Sequence, residues 1–249
     1  MENISSDKIK LYLSHEIGEL HVYDTLDSTN NTAKRLAADD APHGTVVVAA
    51  EQTTGHGRMG RGFFSPRGGV YMSVILRPDF SADKIMLLTT LTSVAVCRVI
   101  ERLGYIPKIK WVNDILIDGK KICGISAASS GNDFIILGIG VNTSEENFPP
   151  ELKNIAVSIA LGADYPRERI IAEIFNELFT LLDCISSDDI INEYREHSAV
   201  IGHNIEIHRN GEITRAKAID IDPQGGLIVL YTNGETETLT SGEITIRLS

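Results

Sequence analysis

A short stretch of the chain gathers glycines and guanidinium groups: Gly55, His56, Gly57, Arg58, Met59, Gly60 and Arg61, with Arg67 nearby. Glycines let main-chain N–H groups approach an anion closely, and a guanidinium holds phosphate or carboxylate through two parallel hydrogen bonds. Such a loop suits a triphosphate. The spacing of Gly55, Gly57 and Gly60 also satisfies G-x-G-x-x-G, the dinucleotide fingerprint, but that motif opens a helix, and the following residues include Pro66 and further glycines that no helix accommodates. No Gly-Lys-Ser/Thr follows, so a Walker A loop is excluded as well. On spacing alone the stretch also reads as a solvated surface loop with no ligand.

A second cationic pair, Lys120 and Lys121, flanks the turn signal Asp118-Gly119. Side chains alternate along a strand, so only one of the two can face a site, and a turn-flanking lysine is commonly just solvated. The background is acidic. A net charge of -11 lacks the surplus of Lys and Arg that holds a phosphate backbone, so nucleic-acid binding is not expected and any anionic ligand must be met locally. Cys97, Cys123 and Cys184 are odd in number, widely spaced and set in apolar stretches. They are expected as buried thiols in a reducing cytoplasm, not as a disulfide framework or zinc site. The N-terminal MENISSDKIK has no apolar signal core, and no run approaches the ~18 apolar residues of a membrane span, so a soluble cytoplasmic protein without membrane contact is expected.

These groups need a scaffold. Asp27 and Ser28 form an N-cap signal for a helix over Thr29 to Asp39. The β-branched run Thr45 to Ala50 reads as a buried strand, Gly69 to Leu76 as another, and between them lies the glycine loop. Ser81 would cap a helix over Asp83 to Leu103, apolar nearly all round and therefore buried, ending at Gly104. Lys108 to Val112, Ile115 to Ile117, Lys121 to Ser126 and Phe134 to Val141 are strand-like, with Asp118-Gly119 and Gly131-Asn132 as turns. Together they predict a mixed sheet with helices on one side. Pro166 opens a helix over Arg167 to Ile185, and Ser187 to Glu196 reads as a second. Beyond Gly202 short strands alternate with Gly-containing turns, which predicts a small β-barrel or sandwich. The expected fold class is α+β, with a larger domain over 1–198 and a small barrel over 199–249.

In these blocks the chain resembles the biotin protein ligases. The resemblance runs in order through DSTN (Asp27 to Asn30), EQTTGHGRMGRGFFSP (Glu51 to Pro66), KWVND (Lys110 to Asp114), KKICGI (Lys120 to Ile125), GIGVN (Gly138 to Asn142) and a final GE-T-R pattern over Gly242 to Arg247. It implies a catalytic domain of the class II aminoacyl-tRNA-synthetase-like, biotin–lipoate ligase type, followed by an SH3-like barrel. It further implies an ATP-dependent, AMP-forming ligase that makes biotinyl-5′-AMP and passes biotin to a lysine of a biotin carboxyl carrier protein or domain. For biotin it implies contacts from Ser28, Thr29, Asn30, Gln52, Gly55, His56, Arg58, Lys121 and Gly124. For the nucleotide it implies Arg58, Arg61, Phe63, Asn113, Lys121 and Asn142, with Asp114 near magnesium. Arg58 and Lys121 would be catalytic. The resemblance also implies a homodimer through the central sheet.

The implied chemistry is consistent with the residues. A carboxylate attacking an α-phosphate is repelled by charge, so catalysis is mainly positioning and cationic stabilisation, and no side chain need act as nucleophile. Ser28 could instead serve only as a helix N-cap, and Trp111 reads as a core anchor. The chain departs from the family at His56, where arginine is usual, at Met59 in a variable slot, at Phe63 for tryptophan, at Val112 for proline and at Ala128 for an acidic residue. Only about 26 residues precede DSTN, too few for a helix-turn-helix, so the monofunctional type is expected. Two other readings stay open: a biotin-binding module without catalysis, and a ligase for lipoate or another acyl group.

Overall fold

The computed structural model describes residues 3–57, 60–77, 85–130, 133–143, 148–185, 188–209 and 211–247. Elements follow in the order α1 (Ser6–Lys10), β1 (Leu20–Leu26), α2 (Thr29–Ala38), β2 (Thr45–Gln52), β3 (Val70–Leu76), α3 (Ile85–Arg102), β4 (Lys108–Lys110), β5 (Asp114–Ile117), β6 (Lys120–Ser130) and β7 (Phe134–Val141). Then come α4 (Arg167–Leu182), α5 (Asp188–His197), β8 (Asn204–Arg209), β9 (Glu212–Ile221), β10 (Leu227–Tyr231), β11 (Thr236–Leu239) and β12 (Glu243–Arg247).

The first seven strands form one sheet in the order β1-β2-β3-β7-β6-β5-β4, parallel only between β1 and β2. Alternation sorts β3: Val70, Met72, Val74 and Leu76 enter the main core beneath α3 and α4, whereas Ile75 points the other way. Helix α3 presents apolar residues all round and is buried from Leu88 to Cys97, as its composition requires. Its expected cap, Ser81, lies outside the described residues, as does the Gly131-Asn132 turn. At the other turn Asp118 and Gly119 both have positive φ (50° and 76°), the type I′ geometry that Asp-Gly predicts.

Three expectations are corrected here. The helices are not all on one side: α2 sets Ala33 and Ala37 on Val47, Ile75 and Ile136, the face opposite α3 and α4. Cys184 is exposed, whereas Cys97 and Cys123 are buried, and burial pushes both of those thiols well above their ordinary range. The five C-terminal strands form an antiparallel sheet in the order β11-β10-β9-β8-β12, and among the described residues β11 and β12 do not pair, so no closed barrel is found.

The C-terminal sheet is joined firmly to the rest. Ile205, Ala218 and Val229 share the core that contains Val94 and Ile109. The buried Trp111 indole donates to the Gly225 carbonyl at 3.0 Å, and Ala199 N–H donates to the Ile109 carbonyl at 2.8 Å. Arg195 Nε donates to Asp220 Oδ1 and to the Ile221 carbonyl, both at 3.0 Å. Among the described residues no helix is long and apolar enough to cross a membrane.

Candidate active site

A cleft enclosing about 930 Å³, part of it open to solvent, lies on the sheet face that α2 only partly covers. Strand register builds its floor. Ser73 on β3 pairs with Gly138 on β7, which pairs with Ser126 on β6. Two residues along, Tyr71 pairs with Gly140, Gly140 with Gly124, and Gly124 with Asp114 on β5. The glycines hollow this floor: a Cβ at Gly138 would fall 2.3 Å from Asn30 Oδ1, and one at Gly140 2.5 Å from the Phe63 ring. Asn30 and Phe63 therefore occupy space that only glycine leaves.

The first row carries an uncharged polar wall. Gln52 Oε1 accepts from the Thr29 N–H at 2.8 Å and from the Thr29 hydroxyl at 3.1 Å, while Gln52 Nε2 donates to Ser65 Oγ at 2.9 Å. Asn30 Nδ2 donates to Ser126 Oγ at 3.1 Å. The orphan N–H at the start of α2 is thus satisfied from β2 and not by Ser28, whose side chain makes no cap bond although it occupies the N-cap position.

The second row carries charge. Lys121 Nζ lies 2.7 Å from Asp114 Oδ1 and 5.6 Å from the Phe63 ring centroid. The pairing of β5 and β6 slips between Ile115 and Leu116, leaving Ile122 as an extra residue, and this bulge lets Lys121 and Gly124 serve the same cleft. Arg61 and Lys110 add positive charge, and from the C-terminal sheet Gly242 and Ile244 close one side beside Trp111.

Of the residues expected at the site, Thr29, Asn30, Gln52, His56, Arg61, Phe63, Asn113, Asp114, Lys121 and Gly124 line this one cleft. Ser28, Gly55 and Asn142 do not. Ser28 is buried at the start of α2. Gly55 is wedged so that a Cβ would meet Ser65 Oγ at 2.4 Å, and its carbonyl accepts from Phe63 N–H at 2.8 Å. Asn142 directs its amide to the carbonyls of Lys121 and Val157, each at 3.4 Å, bracing the strand behind Lys121. Arg58 lies outside the described residues. His56 places Nδ1 3.2 Å from the Thr54 carbonyl, a bond within its own loop. Lys120 stays out of the cleft and donates to the Lys153 carbonyl at 3.4 Å. Arg67, expected near the anion, is spent elsewhere: it forms a two-pronged pair with Asp24 and reaches Glu51 at 3.6 Å, and it holds the Asp24 carboxyl below its ordinary range.

Sequence reasoning missed Ser126, Gly138 and Gly140, which line the cleft, and Ser73, buried beneath it, and it set Trp111 aside as a core anchor although that ring also lines the cleft. A signal existed for some of them. Ser73 is the one small polar residue in the buried strand VYMSVIL, and glycine inside a strand marks a close approach by another group.

Among the described residues no three His, Cys, Asp or Glu side chains cluster to hold a metal. Magnesium, however, is commonly held by one or two carboxylates plus substrate phosphates, and Asp114 is the one carboxylate among the described cleft residues. The donor set fits a magnesium ion arriving with a nucleotide, not a resident protein-held ion.

The model of the Biotin/lipoate A/B protein ligase family matches residues 22–142, and that of the Biotin protein ligase C terminal domain matches residues 200–247. The "Bifunctional ligase/repressor BirA" of Bacillus subtilis is 37% identical over 97% of this chain and 78% of its own length. The "Biotin--[acetyl-CoA-carboxylase] ligase" of Mycobacterium tuberculosis is 31% identical over 91% of this chain and 88% of its own. A structure of the biotin protein ligase of Aquifex aeolicus in complex with biotin and ATP superposes with a TM-score of 0.80 at 25% identity, covering 93% of this chain and 99% of that one. The chain belongs to the biotin protein ligase family.

Proposed function

We propose that this protein activates biotin with ATP and transfers the biotinyl group to a lysine of a biotin carboxyl carrier protein or domain. The observation that carries this reading is the division of a single cleft into an uncharged polar wall and a cationic end. Biotin has the same division, a neutral ureido ring joined by an alkyl chain to a carboxylate. Thr29, Asn30 and Gln52 would meet the ring, and Gly124, which lines the same cleft and packs against Lys121 and Phe63, would lie along the chain. Lys121 would draw the carboxylate and the α-phosphate together, with Arg58 and Arg61 beside the phosphates, Phe63 and Asn113 on the nucleotide side, and Asn142 bracing the strand behind Lys121.

In the first step a biotin carboxylate oxygen attacks the α-phosphorus and the bond to pyrophosphate breaks. In the second the lysine amine attacks the mixed-anhydride carbonyl, AMP departs and the amine gives up a proton. Lys121 exchanges its bond to Asp114 for the incoming anions, and no residue forms a covalent bond to substrate. Magnesium, when bound through the ATP phosphates and Asp114, would offset triphosphate charge. The division into units over 1–198 and 199–249 is supported by the C-terminal family match starting at residue 200. A cytoplasmic location is supported by three free cysteines. A homodimer through the central sheet is supported by the outer edge of β1, which among the described residues pairs with β2 alone, and sedimentation tests it.

Pyrophosphate exchange into ATP tests the reading, with biotin, lipoate and octanoate offered in parallel. Exchange with biotin alone is expected. Exchange only with the other acids would reassign the substrate, and biotin binding without exchange would leave a binding module.

A further inference from the structure

The polar wall is organised from beneath by a residue that does not line the cleft. Ser73 is fully buried in β3, among side chains that are otherwise apolar apart from the Tyr71 hydroxyl. A buried hydroxyl costs free energy unless it is hydrogen-bonded, so its partners determine what it does. Its Oγ lies 2.8 Å from Thr29 Oγ1 and 2.7 Å from Asn30 Oδ1. Both partners line the cleft.

We propose that Ser73 is a positioning residue for ring recognition, setting the donor and acceptor pattern that Thr29 and Asn30 present. The inference rests on the biotin reading above. A serine hydroxyl has one proton, and here two acceptors lie within reach of it. Donation to Asn30 Oδ1 fixes which way that amide faces, so its Nδ2 points at Ser126 and the Ser126 proton can be directed into the cleft. The Thr29 proton meanwhile goes to Gln52, so Thr29 Oγ1 can only accept, and the single Ser73 proton is shared between it and Asn30 Oδ1, leaving Thr29 a second lone pair for the ligand. The wall then offers donors to a carbonyl oxygen and an acceptor to a ring N–H, the pattern of a cyclic ureide. Gly138 makes this possible by leaving room for Asn30 between Ser73 and Ser126, its partners in register.

The test is calorimetric titration of Ser73→Ala with biotin and, separately, with ATP, beside a cycle that includes Thr29→Val. Ser73→Ala is expected to weaken biotin about tenfold, the worth of roughly one hydrogen bond, with ATP affinity unchanged. Because Ser73 acts through Thr29, Thr29→Val should weaken biotin less in the Ser73→Ala background than in the natural chain. Unchanged biotin affinity overturns the proposal. So does a parallel loss for biotin and ATP tracking a fall in thermal stability, which marks a packing role, and so do additive effects in the cycle. Should the natural chain fail to bind biotin, the ligase reading falls and takes the inference with it, whereas binding that Ser73→Ala leaves intact removes the inference alone.

Discussion

Lys121 Nζ and Asp114 Oδ1 stand 2.7 Å apart beside the bulge in the β5–β6 pairing, on two side chains that keep 33% and 25% of their exposure. The ammonium is held at the cationic end of the cleft before any ligand arrives, so little reorganisation is needed when negative charge develops there. Lys121→Ala should lower the rate of biotinyl-AMP formation by about 100- to 1,000-fold, the usual worth of a group aimed at developing charge. Lys120→Ala should change it about twofold at most, as surface substitutions do. Single-turnover measurement of the adenylate compares them, and equal losses would mean that the wrong lysine has been assigned.

Trp111 ties the cleft to the C-terminal sheet. Trp111→Phe keeps the ring but leaves the buried Gly225 carbonyl without its donor, which should cost about 1–3 kcal/mol in urea unfolding. Removal of the chain beyond residue 198 goes further, because Ile205, Ala218 and Val229 belong to the same core as α3. The truncated chain should lose its cooperative unfolding transition. A truncated protein that melts sharply and still forms adenylate would show that the shared core is dispensable.

Acid should act through the cluster between α3 and α4. Burial of Glu173 favours its neutral form, but hydrogen bonds from Tyr165, Arg169 and Arg102 outweigh this and hold its carboxyl below its ordinary value of 4.5. The native state therefore binds fewer protons than the unfolded chain, so this contribution is fully present above that value and is lost as pH falls through the lower folded one. Glu173→Gln should be less stable at neutral pH, and its deficit should shrink between pH 5 and pH 3. Urea midpoints across that range would disprove the assignment if the deficit stayed constant.

Much of this was legible in the sequence, and the gaps have physical reasons. The helix after DSTN, the Asp118-Gly119 hairpin and the five C-terminal strands all carry local signals, in periodicity or in turn chemistry. Strand β1 carries none: it is a half-buried edge strand with Asp24 and Thr25 exposed, so its alternation is blurred. Helix α1 is a single short turn with one buried side chain, Ile9. The floor of the cleft was hidden for another reason. Ser73, Gly138 and Ser126 meet only through the β3-β7-β6 register, and the sides of the sheet to which the helices belong depend on long-range packing of the same kind. The Arg67 pairing was equally invisible, since Asp24 lies on an element that the sequence did not reveal.

The two floor glycines allow a test that separates the halves of the cleft. Added methyls at either position must displace a neighbour, and such overpacking commonly costs about 1–3 kcal/mol, so both variants should remain folded but lose some stability. Their functional effects should differ. At Gly138 the new Cβ would meet Asn30 Oδ1 at 2.3 Å and Ser126 Oγ at 2.6 Å, so Gly138→Ala breaks the polar wall. At Gly140 it would meet the Phe63 ring at 2.5 Å and lift that ring from its glycine shelf. Gly138→Ala should therefore raise the KM for biotin more than that for ATP, and Gly140→Ala should do the reverse if Phe63 serves the nucleotide. Steady-state kinetics with each substrate varied in turn measures both ratios. Losses of the same size for both substrates in both variants would mean that the two rows form one undivided surface.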